Sequence, residues 1–412
     1  MKILKIPVCL VAVLSAMQAF AQDIPPIAYP PATNTRNQHA YIDSAKQRDL
    51  VDVILKILDK NATPDKREAP KKDNFSIIPY AGYTLSTGFT ADISGNVSFY
   101  TATGHRQNNS IIAADVGYDT KSQTTFLTRS ELWTNNNDYK IVTDIRFQKY
   151  PTDTYGLGTF TTFANENDLD YYYFRLYETV LKKIAANFYA GIGYNFDRHY
   201  DITATGNLNN TVSDYGQYGQ TTQSTSSGFN VDFLYDSRSN QLSPLGGIFA
   251  NFTFRQNLKA MGSDANWQSV QVDLRKYIRL SPGSNNVLAL WSMAAFTSGK
   301  VPYLDLPATG GDMYNNSGRG YAIGRFRGKN ELYFEAEYRF GITNNGLLGA
   351  VIFANGQSFS EFKTNAFERM APAAGGGLRL KINKRSNTNI CIDYGVGTGG
   401  SHGFFVNLGE LF

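Results

Sequence analysis

The sequence predicts an all-β protein, a transmembrane antiparallel β-barrel of about sixteen strands preceded by a short helical segment. Three observations predict it: an export signal, segments of alternating polarity from residue 75 to the C-terminus, and long connections that all fall on one side of the strand count. Strands of about 9 to 14 residues with one apolar and one charged face suit tilted bilayer crossings. A β-sandwich also alternates, but its strands are shorter, so the barrel is favoured.

Residues 1–21 have the features of a secretory signal peptide. A basic start precedes an apolar stretch over 6–20, and the segment ends in the small-x-small sequence Ala-Phe-Ala. We expect the mature chain to begin at Gln22 and to reside in the bacterial outer membrane. Cys391 would then be its one cysteine, so the fold would use no internal disulfide.

The charge balance and the lengths of the apolar runs do not suggest a nucleic-acid-binding protein or a helical membrane protein. The chain carries 39 Lys and Arg against 35 Asp and Glu, a balance that does not suggest a nucleic-acid partner. After residue 21 no run approaches the roughly 18 apolar residues of a membrane-spanning helix. The order of residues along the chain therefore decides the fold.

Residues 22–74 differ from the rest of the chain. Within 41–60 the apolar side chains form one helical stripe, and a charged linker with two prolines follows. Some fifty residues are too few for a substantial folded domain. We expect a short helix on the periplasmic mouth of the barrel, and docking of a periplasmic partner or client through 41–60 is the alternative. The stripe consists of Leu50, Val51, Ile54, Ile57 and Leu58.

Residues 75–412 are predicted to form the barrel, and 330–341 shows the alternation most clearly. Apolar side chains occupy the even positions from Leu332 to Phe340, while the odd positions from Glu331 to Arg339 carry charged residues and tyrosine. The apolar face would meet outer-membrane lipid and the charged face a wet lumen. The predicted strands are 75–84, 88–100, 110–119, 123–133, 138–149, 169–180, 187–198, 226–236, 247–257, 266–279, 286–298, 330–341, 347–355, 373–382, 388–396 and 402–411.

The connections support an even number of strands. All the long ones fall between an odd strand and the next even one, and those on the other side are short. Bacterial barrels have long outer loops and short periplasmic turns, so both ends of this chain would lie in the periplasm. The long connections are 150–168, 199–225, 299–329 and 356–372.

The connection 299–329 contains the sequence GRGYAIGRFRGKN. Its Arg319-Gly320-Tyr321 resembles the Arg-Gly-Phe/Tyr element of the bacterial surface-antigen family of outer-membrane assembly factors, the BamA/TamA-like barrels. In that family the element folds the sixth outer loop back into the lumen. The resemblance covers about 75–412 and implies such a barrel without periplasmic POTRA domains.

Two further segments resemble the same family. Asp236, Arg238, Pro244 and Gly247 match its Asp-x-Arg…Pro-x-x-Gly turn, here between the eighth and ninth predicted strands. The C-terminal part, from GGGLRLKINKR to the final phenylalanine, is similar to its last three strands.

The resemblance also implies partners for Arg319. An arginine has five donors and stays charged, so its burial requires carboxylates. Glu337 matches the family's glutamate partner, and Glu335 shares its face. The family's second acid corresponds here to Ala354, so this chain would hold the loop differently.

The two ends of the barrel are expected to meet at a weak seam. Pro79 and Gly82 lie in the first strand, where proline supplies no N–H and glycine pairs weakly. Phe412 ends the last strand, like the aromatic-ended strands by which such barrels are recognised. Family members are thought to open at this position, and a proline tolerated in an ordinary closing strand is the equally weighted alternative.

The resemblance implies a non-enzymatic protein that inserts or translocates client outer-membrane proteins, or lipid, without a cofactor or metal. The first alternative is a passive, porin-like channel, because the inward faces carry both charge signs. A hydrolase is a weaker alternative, since the histidines show no metal-ligand spacing and accompany no Gly-x-Ser-x-Gly motif. His199 and His402 both border outer loops, so counting residues does not exclude a Ser/His pair.

Overall fold

Sixteen long strands form a nearly closed antiparallel wall, as the alternation predicts. The computed structural model describes residues 47–58, 73–84, 88–101, 108–120, 122–207, 213–238, 240–281, 285–384 and 387–412. The predicted signal peptide and most of 22–74 lie outside the described residues. The strands are β1 Asp73–Thr84, β2 Gly88–Phe99, β3 Ser110–Asp119, β4 Thr124–Trp133, β5 Tyr139–Lys149, β6 Thr152–Thr154, β7 Asn167–Ala185, β8 Phe188–Asn207, β9 Gln223–Asp236, β10 Gly247–Asn257, β11 Trp267–Arg279, β12 Val287–Gly299, β13 Asn330–Gly341, β14 Leu348–Phe359, β15 Ala371–Asn383, β16 Thr388–Gly397 and β17 His402–Leu408. The α-helices within the described residues are α1 Leu50–Leu58 and α2 Asp214–Gly219.

Each wall strand pairs with the next one along the chain. β6 has only three residues and lies in the connection between β5 and β7, which pair directly. The other sixteen strands therefore give the predicted even count. The long connections 150–166, 300–329 and 360–370, together with the one that contains α2, lie on one side, which we call the long-loop side. No described helix has the length and apolar character needed to span a membrane.

The wall is apolar outside and charged inside, as β13 shows. Glu335 and Glu337 are at most 4% exposed, whereas Phe334, which precedes Glu335, is 47% exposed. Ile352 on the neighbouring β14 is 58% exposed on the outer face. Lipid solvates such side chains and does not solvate charged ones, so the prediction for this strand is confirmed.

The two terminal strands meet less completely than their neighbours. Cα atoms of β1 and β17 approach within 8 Å. Within the described parts of both strands, however, no ladder joins them, although β1 pairs with β2 and β17 with β16 along their lengths. β17 has seven residues against twelve in β1. Pro79 and Gly82 are the backbone partners of Ile93 and Thr90 in β2, and the side chain of Pro79 lies outside the description.

We expect a charge on the outer face to destabilise the barrel. Ile352→Arg should lower the free energy of unfolding by about 2–4 kcal/mol near the bilayer midplane, because lipid cannot solvate the guanidinium. Urea titration of the barrel folded into vesicles measures this, with Ile352→Leu as the control. Equal stability of the two variants would place this face away from lipid.

Candidate functional site in the barrel lumen

The connection between β12 and β13, residues 300–329, lies inside the barrel, and we call it the lumen loop. Most of its side chains from Val301 to Gly328 are buried. The turn at its centre depends on glycine, since Gly318 and Gly320 have φ of +81° and +103°. The backbone there directs the intervening Arg319 side chain toward the wall.

Arg319 is fully buried against three carboxylates from two different strands. Its guanidinium pairs with Glu335, with Glu337 at 2.6 Å (Nη2 to Oε2) and with Asp393 at 2.5 Å (Nη1 to Oδ2). Phe353 covers one face of the guanidinium, 3.7 Å from its ring centroid. These five side chains form what we call the Arg319 cluster, which fastens the lumen loop to β13, β14 and β16.

Two further arginines balance the charge of these carboxylates. Arg379 pairs with Asp393 at 2.5 Å and lies 3.6 Å from Glu337, and Arg339 pairs with Glu337 at 2.6 Å. Burial disfavours the charged form of Arg319, but its three carboxylates outweigh that cost and raise its pKa above the ordinary arginine value. The guanidinium is therefore a permanent cation, and removing it would leave buried carboxylates with too few partners.

Glycines in β16 make room for the lumen loop. A Cβ on Gly395 would stand 2.7 Å from the Gly320 nitrogen, and one on Gly397 would stand 2.5 Å from Cζ of Tyr321. Next to these glycines, the Tyr321 hydroxyl donates to the Pro372 carbonyl at 2.6 Å and accepts from the Thr398 N–H at 2.9 Å. The loop and the wall therefore approach to backbone contact at this point.

The structure brings together most of the residues predicted around Arg319. Glu335 and Glu337 both contact it, while Ala354 is exposed on the outer face. The missing acid is supplied by Asp393, which the sequence analysis did not single out. Its position on the inward face of a short alternating strand was the available signal. The role of Gly395 in loop packing was also missed.

The predicted turn motif forms a compact turn between β9 and β10. The Arg238 guanidinium donates to both Asp236 oxygens, at 2.9 and 2.8 Å, and lies over the Phe249 ring. Pro244 is buried, and Gly247 has φ of +107° with the Ser237 carbonyl where a Cβ would stand. This turn lies on the side opposite the long loops.

Phe412 does not lie at the end of the last strand, where the sequence analysis expected it. β17 ends at Leu408, and Gly409, with φ of +96°, turns the chain inward. Residues 409–412, here called the C-terminal tail, enter the lumen. The ring centroids of Phe412 and Trp291 are 5.1 Å apart, and the Arg339 guanidinium donates to the main-chain oxygen of Phe412 at 2.8 Å. The strand is shorter than predicted because these last residues find buried partners inside the barrel.

The tail also connects the loop with the turn motif. The Asn316 side chain in the lumen loop donates to the Leu411 carbonyl at 2.7 Å. On the other side, the Glu410 N–H donates to the Leu242 carbonyl at 2.8 Å, and its carboxylate pairs with Arg379 at 2.8 Å. The tail thus shares a partner with the Arg319 cluster.

The lumen loop also reaches the opposite wall. Arg146 on β5 donates to the Met313 carbonyl at 2.6 Å and to Asn315 at 3.0 Å, and Tyr314 donates to Glu131 on β4 at 3.0 Å. A cavity of about 510 Å³ remains between the loop, the tail and the walls. The loop and the tail therefore occupy much of the space that an open pore would need.

The lumen does not arrange His199 as part of a catalytic triad. Ser224 Oγ lies 3.5 Å and Asp305 Oδ1 3.8 Å from the same nitrogen, Nδ1, whereas a triad needs the two on opposite nitrogens. Burial, with help from the negative charge of Asp197, raises the pKa of Asp305 to about 7, so it is not a permanently charged acid. His402 is exposed, and its Nδ1 lies 2.9 Å from the Gly400 carbonyl oxygen in its own turn.

Three acidic side chains on the long-loop side are close enough together to be considered as a metal site. Asp153, Glu166 and Asp168 place carboxylate oxygens within 4.8 Å of one another. Asp168 is exposed, and exposed acidic groups of this kind are common without an ion. We therefore assign no metal ion to these three residues.

Comparison with known proteins agrees with this architecture. The model of the Omp85 superfamily domain matches residues 106–399, and no curated protein sequence matches the chain. Among solved structures, the chain is similar to BamA from Haemophilus ducreyi lacking POTRA domains 1–3, with 13% identity, 89% of this chain and 80% of that chain covered, and a TM-score of 0.52. It is also similar to CdiB from Acinetobacter baumannii, with 13% identity, 83% and 61% covered, and a TM-score of 0.51. For CdiB from Escherichia coli the values are 12%, 84% and 63%, and 0.50. At these identities the structures show a shared fold.

Removing the buried cation should release the lumen loop. Breaking a buried ion pair by deleting one partner costs about 3–5 kcal/mol, so we expect Arg319→Ala to expose residues 300–329 to hydrogen exchange while β7–β9 stay protected. Arg319→Lys should give partial release, because an ammonium cannot fork between carboxylates. Lys363→Ala, at an exposed site, is the control. Unchanged protection of the loop in Arg319→Ala would show that the cluster does not hold it.

A methyl group at Gly395 should displace the loop without changing any charge. The added Cβ meets the Gly320 backbone, which cannot move aside as a flexible side chain can. We expect Gly395→Ala to speed proteolysis within 300–329 while the barrel stays folded. Gly403, its partner across the β16–β17 ladder, is a matched control, since the nearest atom to its Cβ lies 4.0 Å away. Equal proteolysis of the two variants would contradict the close contact.

Proposed function

Because this chain belongs to the Omp85 superfamily, we propose that it resides in the bacterial outer membrane and inserts or translocates client proteins, or lipid, at the seam between β1 and β17. The observation that carries the proposal is that these strands approach each other without a ladder in their described parts. No catalytic residue, cofactor or metal is needed for such a role.

Because the lipid interior holds no water, unpaired backbone groups at the seam favour hydrogen bonding with another strand. A backbone N–H or C=O without a partner in hydrocarbon costs several kcal/mol, because no water is available to pair with it. An extended client segment that adds to the edge of β1 or β17 would satisfy these groups on both chains. Clients would therefore be segments that form membrane β-strands, recognised through their backbone.

The C-terminal tail keeps the seam short. Residues 409–412 bond to the lumen loop and to Arg339, so they are not available to extend β17. Pro79 in β1 removes one further N–H donor from the same region. Both features support a seam that exchanges partners more easily than the rest of the wall.

The Arg319 cluster would provide a rigid side to this seam. It joins β13, β14 and β16 through one buried side chain, and β16 holds β17. Opening would then move β1 and its neighbours relative to a fixed C-terminal half. In this proposal Glu335 and Glu337 position the loop, and Asp236 with Arg238 positions the turn that meets the tail.

A passive channel is the second candidate function, and the cavity lined by both charge signs favours it. The lumen loop and the tail narrow this passage. A channel role would require conductance that does not depend on the seam, whereas an insertion role would show small openings that change when the seam is fixed.

Covalent closure of the seam is the direct test. We expect a disulfide between β1 and β17 to abolish insertion of a client barrel protein into proteoliposomes, because the client strand can no longer pair at the edge. Insertion is measured as protease protection, with and without reductant. Cysteine pairs are drawn from the outward-facing residues Phe75 and Ile77 in β1 and Phe404 and Val406 in β17, and Cys391 is buried and stays unreacted.

A matched disulfide elsewhere in the wall controls for rigidity. Ile192 in β8 and Val231 in β9 are partners in a complete ladder, so linking them should leave insertion unchanged. Full insertion with the β1–β17 disulfide formed would contradict the proposal. Stable conductance that is identical in the open and linked barrels would favour the channel instead.

A further inference from the structure

Helix α1 has an apolar surface that the barrel does not cover. Ile57 and Leu58 are 73% and 78% exposed, Val51 is 55% exposed, and Ile54 and Leu55 are each 46% exposed. The sequence analysis expected this helix to pack on the barrel mouth. The helix does contact the rim of the barrel, but its apolar stripe takes no part in that contact.

The attachment is polar and uses the start of the helix. The Arg48 N–H donates to the Asn345 carbonyl at 3.1 Å, in the turn between β13 and β14. Lys384, in the turn between β15 and β16, pairs with Asp52 at 2.7 Å and donates its backbone N–H to Asp49 at 3.1 Å. The helix is therefore tied to two neighbouring turns at the rim of the wall, on the side opposite the long loops.

The geometry of the helix directs the apolar stripe away from these contacts. Asp52 and Lys56 are four residues apart and therefore lie on the same face of the helix. This face is turned toward the rim, because Asp52 pairs there with Lys384. Ile54 and Leu58 lie roughly opposite that face at 100° per residue. The described residues of α1 also do not line the lumen cavity. The stripe is thus outside the barrel, next to the wall.

We infer that α1 lies in the interface of the periplasmic leaflet and inserts its apolar stripe among the lipid chains beside β13–β16. The rim at this point is continuous with the lipid-facing surface, since Ile342 and Leu348 flank the same turn and are 53% and 37% exposed. Contiguous exposed apolar side chains on a short amphipathic helix are the pattern of interfacial anchors. Arg48 and Lys56 are balanced by Asp49 and Asp52, so the apolar stripe, and not net charge, carries the expected membrane contact.

This inference needs only a barrel in a bilayer and does not rest on transport at the seam. It goes further by placing a second membrane contact within a few strands of β1.

The insertion of the apolar stripe into lipid can be tested by fluorescence quenching. The protein is placed in lipid nanodiscs that hold one barrel each. An environment-sensitive dye is attached to the full chain through a single new cysteine at Ile57 or Leu58, in a Cys9→Ser background with the buried Cys391 left in place. The matched control carries the dye at Lys56, on the polar face. We expect brominated acyl chains to quench the dye at Ile57 and Leu58 more strongly than at Lys56, and aqueous iodide to show the reverse order.

Two results would overturn the inference. Equal quenching by iodide at all three sites would place the stripe in water. Protection from both quenchers at Ile57 and Leu58 would show that protein covers it, either a second copy or another part of the chain. The measurement uses no client, so a failure here is distinguishable from a failure of the proposed insertion function.

Discussion

The wall of this barrel is governed by the absence of water in the lipid interior. Each backbone N–H and C=O at membrane depth needs a partner in the sheet, so the strands must run long, antiparallel and around a closed path. β1 and β17 are the place where this requirement is least satisfied, since they meet without a ladder in their described parts. The rest of the wall obeys this constraint, and the proposed exchange of strands at the seam depends on β1 and β17 not obeying it.

The lumen presents the complementary problem, since charge is buried there and must be balanced. Arg319 meets three carboxylates, and Arg339 and Arg379 supply the remaining positive charge. Such a network adds little net stability compared with an apolar core, but its pairings require the loop to place Arg319 between β13 and β16. The C-terminal tail joins the same network through Glu410 and Arg379. The loop, the tail and the last strands are therefore positioned together.

Local polarity was sufficient to predict most of the wall. The predicted bounds of 110–119, 247–257 and 330–341 coincide with β3, β10 and β13, because the alternation ends there in turn residues. β7 and β8 run further than predicted, to Ala185 and Asn207, since pairing between two strands continues beyond the positions where polarity alternates. β17 is shorter than predicted because its last residues bind inside the lumen, which no local pattern records.

The sequence by itself determined which side of each strand meets lipid, how many strands cross, and that Arg319 would need acids on the face that carries Glu335 and Glu337. These follow from a period of two residues and from the cost of an unpaired charge. Only the tertiary structure decided that Asp393 supplies the third acid, that Gly395 admits the loop backbone, and that Phe412 turns inward. Those choices depend on distances between strands far apart in the chain, and closing the barrel is what sets these distances.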